Sequence, residues 1–225
     1  MELLASGRDA DVHLLGGGRV LRRYRDGRPA AREAEVMRAL VAAGYSAPRV
    51  WGVDGPDLVL SRIHGPTLAE AMATGSVSVA GAAGLLARLH DDLHDLPWPG
   101  GAPLLHLDLH PLNVMMPSEG PVVIDWSNAR PGPAALDVAT TALIVAQVVV
   151  TPGMLPDQPE LEAALRHDLG AFLPAFATAV TTPWKDHLEE AAARRALDPN
   201  LTARELALLG DAAALARAAA SRPRG

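Results

Sequence analysis

Two aspartates and an asparagine stand in a short stretch near the middle of the chain, HLDLHPLNVMM followed by VVIDW. Asp108 comes five residues before Asn113, and a turn and a short apolar strand lead from there to Asp125. Carboxylate and amide oxygens are hard ligands, and Mg²⁺ in proteins is usually held by one or two carboxylates together with substrate phosphates. The same spacing occurs in phosphoryl-transfer loops of the form D-x-x-x-x-N. The stretch therefore predicts a site for Mg²⁺ and a nucleotide phosphate.

The residues around these three side chains resemble a known family. The form H-x-D-x-H-P-x-N followed by I-D-W is similar to the aminoglycoside phosphotransferase and choline kinase group of small-molecule kinases, which are relatives of the protein kinases. The resemblance implies that Asp108 accepts the proton of the substrate hydroxyl, and that Asn113 and Asp125 hold Mg²⁺. It also implies that His106 supports the loop through hydrogen bonds. Its landmarks run roughly from residue 6 to residue 150.

The reaction that the resemblance implies is transfer of the γ-phosphate of ATP or GTP to a hydroxyl of a small molecule. A sugar, an aminoglycoside or another natural product is the expected acceptor, and fold analogy does not select among them. A catalytically silent nucleotide-binding or regulatory module is the second hypothesis, because one residue of the family is absent from the N-terminal region, as described below.

The central stretch also allows two interpretations without phosphoryl transfer. His106, Asp108 and His110 form the pattern H-x-D-x-H, whose imidazole and carboxylate groups suit a transition metal, as in a metal-dependent hydrolase. In a purely structural interpretation, Asp108 and Asn113 cap the loop and Asp125 is a turn residue. Neither interpretation accounts for the whole ordered set.

The N-terminal region has the pattern of a small antiparallel sheet with one helix. Strands are predicted for Val12 to Leu15 and for Arg19 to Tyr24, joined by a turn at the three consecutive glycines between them. A helix is predicted from Ala30 to Ala43. Ser6 to Asp11 (SGRDAD) occupies the position of the family's phosphate-covering loop, although its single glycine suits an ordinary turn equally well.

The strand Val20 to Tyr24 departs from the family. The resemblance implies a Lys here that binds the α and β phosphates and pairs with a helix Glu, but the segment contains no Lys. Arg22 is the expected substitute, because it carries the same charge and lies on the same strand face as Val20. Arg23 is the second candidate, and in the remaining interpretation both arginines are solvated strand residues.

Helix geometry selects the acidic partner of that cation. Glu33 lies three, four and seven residues before large apolar residues of the predicted helix, so it falls on the inward face. Glu35 falls nearly opposite, among exposed positions. An inward carboxylate needs a partner to offset its desolvation, and Arg22 is the expected one. The alternative is local pairing of Glu33 with Arg32 or Arg38.

A third predicted strand, Leu58 to Ser61, ends before Gly65 and Pro66, which break it. By the resemblance this strand leads into a hinge whose backbone binds the adenine edge, and this implies that the Ser61 carbonyl and the Ile63 N–H make those contacts. The chain is therefore expected to divide into an N-terminal nucleotide-binding lobe, residues 1–64, and a C-terminal catalytic and substrate lobe, residues 65–225.

The expected fold is α+β and two-lobed, as in the protein kinases, with a small antiparallel sheet lobe followed by a larger, mostly helical one. The nucleotide and Mg²⁺ are expected in the cleft between the lobes. Leucines from Leu85 to Leu96 repeat at helical spacing. Further helices are predicted for Ala135 to Val150, Pro159 to Val180 and Thr202 to Ala220.

Four residues of the predicted helical lobe and its loop carry further expectations. Asp137, in GPAALDVA, resembles the family's Asp that anchors the catalytic loop, although a first-turn charge favoured by the helix dipole is an equal alternative. Leu107 stands where many relatives have Gly. His90 and His94 lie four residues apart and could bind a metal, but the sequence assigns them no carboxylate partner, so core or surface histidines are expected.

Composition excludes several classes of function. A net charge of −6 over 225 residues, without a basic stripe, argues against nucleic-acid binding. The absence of cysteine excludes a disulfide scaffold and thiolate chemistry. No apolar signal core follows Met1, and the longest apolar run, Val138 to Val150, is shorter than the roughly 20 residues that span a bilayer. A cytoplasmic protein without membrane segments is expected, and the sequence specifies no oligomeric state.

Overall fold

A computed structural model describes residues 1–7, 9–153 and 159–221. The N-terminal region forms a five-stranded antiparallel sheet in the order β1-β2-β3-β5-β4. Its strands are β1 Leu3–Ser6, β2 Ala10–Leu15, β3 Arg19–Tyr24, β4 Val50–Asp54 and β5 Asp57–Ser61, and its helix is α1 Ala31–Ala42. The predicted strands and helix of this region are therefore present, and β1 and β4 are additional strands.

Strand β3 lies at the centre of the sheet, and four of its six residues are buried. The turn before it contains Gly17 and Gly18 at φ values of 71° and 68°, a conformation that glycine adopts without strain. This turn fixes the register, so that Arg22 pairs with Val12 of β2 and Leu58 of β5. A cationic side chain is thereby held in the middle of a mostly buried strand.

Helix α1 covers apolar surface with one face, as its sequence pattern predicts. Val36, Met37 and Leu40 are buried on that face together with Glu33, whereas Glu35 is exposed. The helix therefore delivers one carboxylate into the interior and leaves the other in solvent.

Contacts divide the chain into two compact units. The first comprises Met1–Gly65 with Met115–Ala129, and the second comprises Pro66–Val114 with Arg130–Gly225. Asp125 therefore belongs to the sheet-containing unit. The division into 1–64 and 65–225 as functional lobes stays a prediction.

The second unit is mostly helical. Its helices are α2 Leu68–Ala73, α3 Val79–His94, α4 Ala134–Val150, α5 Pro159–Ala179, α6 Leu188–Arg195, α7 Ala203–Ala207 and α8 Leu209–Ala220. It also contains the short strands β6 Leu104–Leu105 and β9 Arg130–Pro131, which pair with each other. Two further short strands, β7 Val114–Met115 and β8 Val122–Val123, form a second pair, and β8 belongs to the first unit. The helix predicted for Thr202 to Ala220 is therefore two helices, which meet at Leu208.

Helix α4 is the core of this unit, since every residue from Leu136 to Gln147 is buried. A helix that is apolar on all sides must be surrounded by other elements, and α4 packs against α5, α6 and α8. None of the described helices has the length and apolar character needed to cross a membrane. The α+β, two-lobed, protein-kinase-like fold class predicted from the sequence is confirmed.

Candidate active site

Asp108 lies in the loop that joins β6 to a short 3₁₀ turn, Pro111–Asn113. The Asn113 side-chain amide donates to the Asp108 carbonyl at 2.8 Å and to its carboxylate Oδ2 at 3.1 Å. The Asp108 N–H donates to His106 Nδ1 at 3.2 Å. Because His106 is fully buried, it supports the backbone of the loop, which agrees with the role that the resemblance implies. The loop thus fixes the Asp108 carboxylate from both sides.

The Asp108 carboxylate is held in its ionised form. Burial alone would raise its pKa, but interactions with His110, whose Nε2 lies 3.6 Å from Asp108 Oδ1, and with His106 and Arg195 lower the pKa below its usual value. An ionised carboxylate is a strong hydrogen-bond acceptor. With 23% of the side chain still accessible, a donor such as an alcohol can reach it.

Asp137, from the first turn of α4, anchors the backbone of this loop. Its Oδ2 accepts a hydrogen bond from the His106 N–H at 3.0 Å, and its Oδ1 accepts one from the Leu107 N–H at 2.6 Å. The contact that the resemblance implied is therefore present. Burial would raise the pKa of Asp137, but its interactions with the neighbouring His90 and His94 hold it well below its usual value. The anchor is a buried anion at ordinary pH.

Two residues of the central stretch have left-handed backbone conformations. Leu107 has a φ of 64° and Asp125 a φ of 62°. For a residue with a Cβ this conformation costs about 1–2 kcal/mol. A glycine, which the resemblance implies at the position of Leu107, would avoid this cost, and the turn at Leu107 directs its N–H to Asp137. Such strain typically persists at functional sites, where surrounding contacts impose it.

In the first unit, Arg22 joins two carboxylates. Its Nη1 donates to Glu33 Oε2 at 2.5 Å and to the Tyr24 hydroxyl at 3.0 Å, while its Nη2 donates to Asp125 Oδ1 at 2.6 Å. Glu33 also accepts hydrogen bonds from the Tyr24 hydroxyl and from the Trp126 N–H. The planar guanidinium fork is suited to serve two acceptors at once. The predicted contact between Arg22 and Glu33 is therefore present.

The electrostatics of this cluster follow from its burial. The guanidinium and the Glu33 carboxylate are 10% and 4% exposed. Burial lowers the pKa of Arg22, but Asp125 and Glu33 outweigh it, so the net shift is upward and the cation is retained. Burial also raises the pKa of Glu33, and burial together with the Glu33 charge raises the pKa of Tyr24 to about 12. Each charge therefore depends on its partners to remain in the interior.

Arg23, the second candidate for the phosphate-binding cation, lies on the solvent side of the strand. Arg23 is half exposed, and its guanidinium forms two 2.6 Å hydrogen bonds with Asp57. The alternative that placed Arg23 in the phosphate-binding role is therefore disfavoured by position. A role of Arg22 and Glu33 in nucleotide binding stays a prediction.

Asn113 and Asp125 have oxygen atoms suited to a hard cation. The Asn113 amide nitrogen is engaged with Asp108, which leaves its carbonyl oxygen as the atom for a metal. Asp125 Oδ1 accepts from Arg22 and, at 2.9 Å, from the Ser127 hydroxyl, which leaves Oδ2. One carboxylate and one amide oxygen match the donor set that Mg²⁺ takes from proteins alongside nucleotide phosphates. These residues therefore fit the implied metal in type.

The segment Ser6 to Asp11 runs from the end of β1 into β2, and Arg8 is outside the described residues. The Ser6 hydroxyl donates to Asp11 Oδ1 at 2.7 Å between the two strands. Asp9 pairs with Arg28 at 2.6 Å. The carboxylates of Asp9 and Asp11 are therefore partnered.

The two residues expected at the adenine edge lie at the end of β5. The Ser61 N–H donates to the Arg49 carbonyl, and its hydroxyl accepts from the Arg49 N–H at 2.9 Å. Ile63 follows the strand. Backbone contacts to adenine by Ser61 and Ile63 stay a prediction.

The H-x-D-x-H interpretation receives no support from the described residues. His106 uses its Nδ1 as a hydrogen-bond acceptor from the loop backbone. Within the part of the chain that the structure describes, one group of histidine and acidic side chains brings its ligand atoms within 4.8 Å of one another. That group consists of His90, His94 and Asp137.

Comparison with known proteins agrees with the fold and identifies the family. Residues 60–184 match the family model described as the phosphotransferase enzyme family. In fold, the chain resembles a choline/ethanolamine kinase family protein from Mesorhizobium loti, with a TM-score of 0.55 and 18% identity over 99% of this chain and 88% of that chain. It also resembles the ADP-bound aminoglycoside phosphotransferase APH(2'')-Ib, with a TM-score of 0.58 and 12% identity over 97% and 93%.

A further similar structure is the amicoumacin kinase hAmiN in complex with AMP-PNP, Ca²⁺ and Ami, with a TM-score of 0.50 and 15% identity over 96% of this chain and 87% of that chain. No curated protein matches the sequence. Since the family model covers more than half of the chain, this protein belongs to the phosphotransferase enzyme family. The family predicted from the residues around Asp108 and Asp125 is thereby confirmed, and the chain is a small-molecule phosphotransferase in its broad class.

Proposed function

We propose that this protein transfers the γ-phosphate of ATP or GTP, with Mg²⁺, to a hydroxyl group of a small molecule. The observation that carries the proposal is the ionised Asp108 carboxylate, held by Asn113 in a loop whose backbone Asp137 anchors. A loop of this kind positions an acceptor for the proton of an attacking alcohol. Membership of the phosphotransferase family supports the same reaction class.

Asp108 has the task of orienting the hydroxyl. Because its pKa lies below the usual value, it is a weak base, and proton transfer to it belongs late in the reaction, when the attacking oxygen has become acidic. Phosphoryl transfer needs this kind of positioning more than strong base catalysis. Asn113 keeps the carboxylate in place and, in this proposal, also turns its carbonyl oxygen to the metal.

Arg22 supplies a fixed positive charge for the α and β phosphates in this proposal, in place of the family's Lys. Glu33 and Tyr24 hold the guanidinium, and Asp125 is its third partner. Asp125 would hold Mg²⁺ together with Asn113, and Mg²⁺ when bound neutralises charge on the phosphate oxygens. Both carboxylate partners therefore serve the nucleotide end of the reaction.

The proposed acceptor is a hydroxyl-bearing metabolite or natural product. The similar structures are named as a choline/ethanolamine kinase family protein, an aminoglycoside phosphotransferase and an amicoumacin kinase. Two of these structures contain ADP or AMP-PNP, and this supports a nucleotide as the donor.

The direct test is a search for product. Purified protein is incubated with ATP or GTP, Mg²⁺ and pools of amino alcohols, aminoglycosides and sugars, and products are screened by mass spectrometry for the gain of one phosphoryl group. We expect phosphorylated product that disappears with EDTA and in Asp108→Asn. Slow hydrolysis of the nucleotide without an acceptor is the second readout. Absence of both activities, with folded protein, would contradict the proposal and favour a catalytically silent module.

A further inference from the structure

A cluster of three buried polar side chains lies on α3 and α4 and contains none of the residues assigned to Mg²⁺. His90 and His94 stand one helical turn apart on α3, and Asp137 faces them from α4. His90 and Asp137 are fully buried, and the His94 side chain is 6% exposed. The arrangement adds one carboxylate to the two imidazoles.

The hydrogen bonds of His90 determine which of its two ring nitrogens carries the proton and which one presents a lone pair to Asp137. The Thr141 hydroxyl donates to the Leu109 carbonyl at 2.7 Å, so its oxygen accepts the hydrogen of His90 Nε2, which lies 3.0 Å away. With the proton on Nε2, the Nδ1 of a neutral His90 is unprotonated. This Nδ1 is buried without a hydrogen-bond partner and lies 3.6 Å from Asp137 Oδ2.

Two electron-rich atoms that face each other in a dry interior repel one another, and the repulsion is relieved by a cation between them. The second histidine completes a ligand set, since His94 Nε2 lies 3.0 Å from the same Asp137 oxygen. Bonds of about 2.0–2.2 Å to Zn²⁺ in a tetrahedral site place ligand atoms roughly 3.3 Å apart. The two separations, 3.6 and 3.0 Å, lie on either side of that value.

The surroundings of His90 also match a metal ligand. Metal-binding histidines almost always donate their other ring N–H to an oxygen, which fixes the ring, and the chain from His90 through Thr141 to the Leu109 carbonyl does so. Asp137 can bind a cation in addition to the loop, because an ionised carboxylate accepts about four hydrogen bonds or metal contacts.

We propose that His90 Nδ1, His94 Nε2 and Asp137 Oδ2 form a binding site for a divalent transition-metal ion, with Zn²⁺ as the best-matched class. Imidazole and carboxylate ligands suit Zn²⁺ and its neighbours, whereas Mg²⁺ prefers oxygen ligands alone. The site is separate from the phosphotransferase proposal and does not depend on it. A bound ion ties α3 and α4 to the loop backbone that Asp137 holds, so its role is to stabilise that loop.

The test is metal titration of the tag-free, full-length protein after removal of metals with a chelator. Co²⁺ is added and followed by its visible absorption, and Zn²⁺ is measured by plasma mass spectrometry after dialysis. We expect one equivalent of Co²⁺ with the intense bands of a tetrahedral site, displaced by Zn²⁺ and not by excess Mg²⁺. We also expect Zn²⁺ to raise the melting temperature, since an ion that binds only the folded chain stabilises it.

Variants locate the site. His94→Gln should weaken Co²⁺ binding by at least about tenfold, since even outer-shell changes at metal sites cost 10–100-fold. His167→Gln, at an exposed position of α5, is the matched control and should bind like the parent. Equal affinity in His94→Gln and the parent would overturn the proposal. So would substoichiometric binding by the parent, or displacement of Co²⁺ by Mg²⁺, and these two results require no variant to fold.

Discussion

The catalytic-loop region and the central strand β3 fix their functional groups by different means. In the loop, the buried carboxylate of Asp137 accepts from backbone N–H groups, so the identity of the side chain at Leu107 matters little. On the strand, the buried carboxylate of Glu33 holds a side chain, Arg22, whose shape and charge both enter the contact. A contact to the backbone survives a change of side chain, whereas a contact to a side chain is lost when that side chain is replaced. Substitutions at the strand should therefore change both protein stability and nucleotide binding. Substitutions in the loop should change the reaction rate or the stability without changing nucleotide binding.

Asp108→Asn is expected to have the largest effect on rate. The change removes the acceptor for the hydroxyl proton and leaves the contacts of Arg22 intact, so the rate should fall about a hundredfold to ten-thousandfold while nucleotide affinity stays nearly unchanged. Rates of acceptor phosphorylation and calorimetric titration with nucleotide measure the two effects. Asp92→Asn, at an exposed position of α3, is the control. Near-normal turnover in a folded Asp108→Asn variant would remove Asp108 from its role.

Arg22→Ala is expected to lower the free energy of unfolding by about 3–5 kcal/mol, because it leaves the buried Glu33 charge without its partner. Nucleotide affinity should fall as well. Arg22→Lys should retain much of both, since it keeps the charge and loses the two-acceptor fork. Chemical denaturation and nucleotide titration measure these changes. Arg23→Ala, which breaks only an exposed pair, is the control and should cost less than about 1 kcal/mol.

A double-mutant cycle tests the contact directly. Arg22→Ala and Glu33→Gln should be non-additive by about 0.5–3 kcal/mol, the range for residues in one charged network. Additive effects on both stability and nucleotide affinity would show that the two residues do not act together. The role of the strand cation would then be reassigned, and the fold would be unaffected.

Asp125→Ala is expected to lower the rate by about a hundredfold or more, because a metal ion contributes several kcal/mol to the stabilisation of charge on a phosphoryl oxygen. Unlike Asp108→Asn, it should also reduce the Mg²⁺-dependent part of nucleotide binding. Nucleotide affinity is therefore measured with and without Mg²⁺ in both proteins. Equal affinity of the parent under the two conditions would count against Asp125 and Asn113 as the metal site.

The two regions also differ in how far the sequence predicts them. Asp108 and Asn113 are five residues apart, so their hydrogen bond follows from local spacing. Strand alternation and helix periodicity predicted the pair of Arg22 and Glu33, which come from neighbouring elements. Asp125, the other carboxylate that Arg22 contacts, lies 103 residues after Arg22 in the chain. No local pattern encodes a contact of that length, so it became visible only in the structure.

The other contacts and elements that the sequence did not predict have specific physical causes. Tyr24 stands two residues after Arg22 on the same strand face, and this alternation was a usable signal for its contact with Glu33. The contact of His94 with Asp137 joins two helices across 43 residues. The sequence of either helix alone does not predict which other helix it packs against. Strand β1 is exposed along its whole length, so it lacks the apolar alternation that marks a strand.

Leu107→Gly is expected to have the smallest effect, and its sign tests the backbone anchor. Glycine relieves the left-handed strain at φ 64°, worth about 1–2 kcal/mol, but it loses the leucine side chain and about 0.5–1 kcal/mol of backbone entropy. The variant should therefore lie within about 1 kcal/mol of the parent in stability and turn over at a similar rate.

Leu107→Ala loses the side chain and keeps the strain, so it should be less stable than Leu107→Gly. Ala39→Gly is the control for a position where alanine is more stable than glycine. Ala39 is an exposed residue within α1, and the change should cost about 1 kcal/mol of stability. If Leu107→Ala is at least as stable as Leu107→Gly in chemical denaturation, the backbone at this position is not held in the left-handed region, and the anchoring of the loop by Asp137 loses its geometric basis.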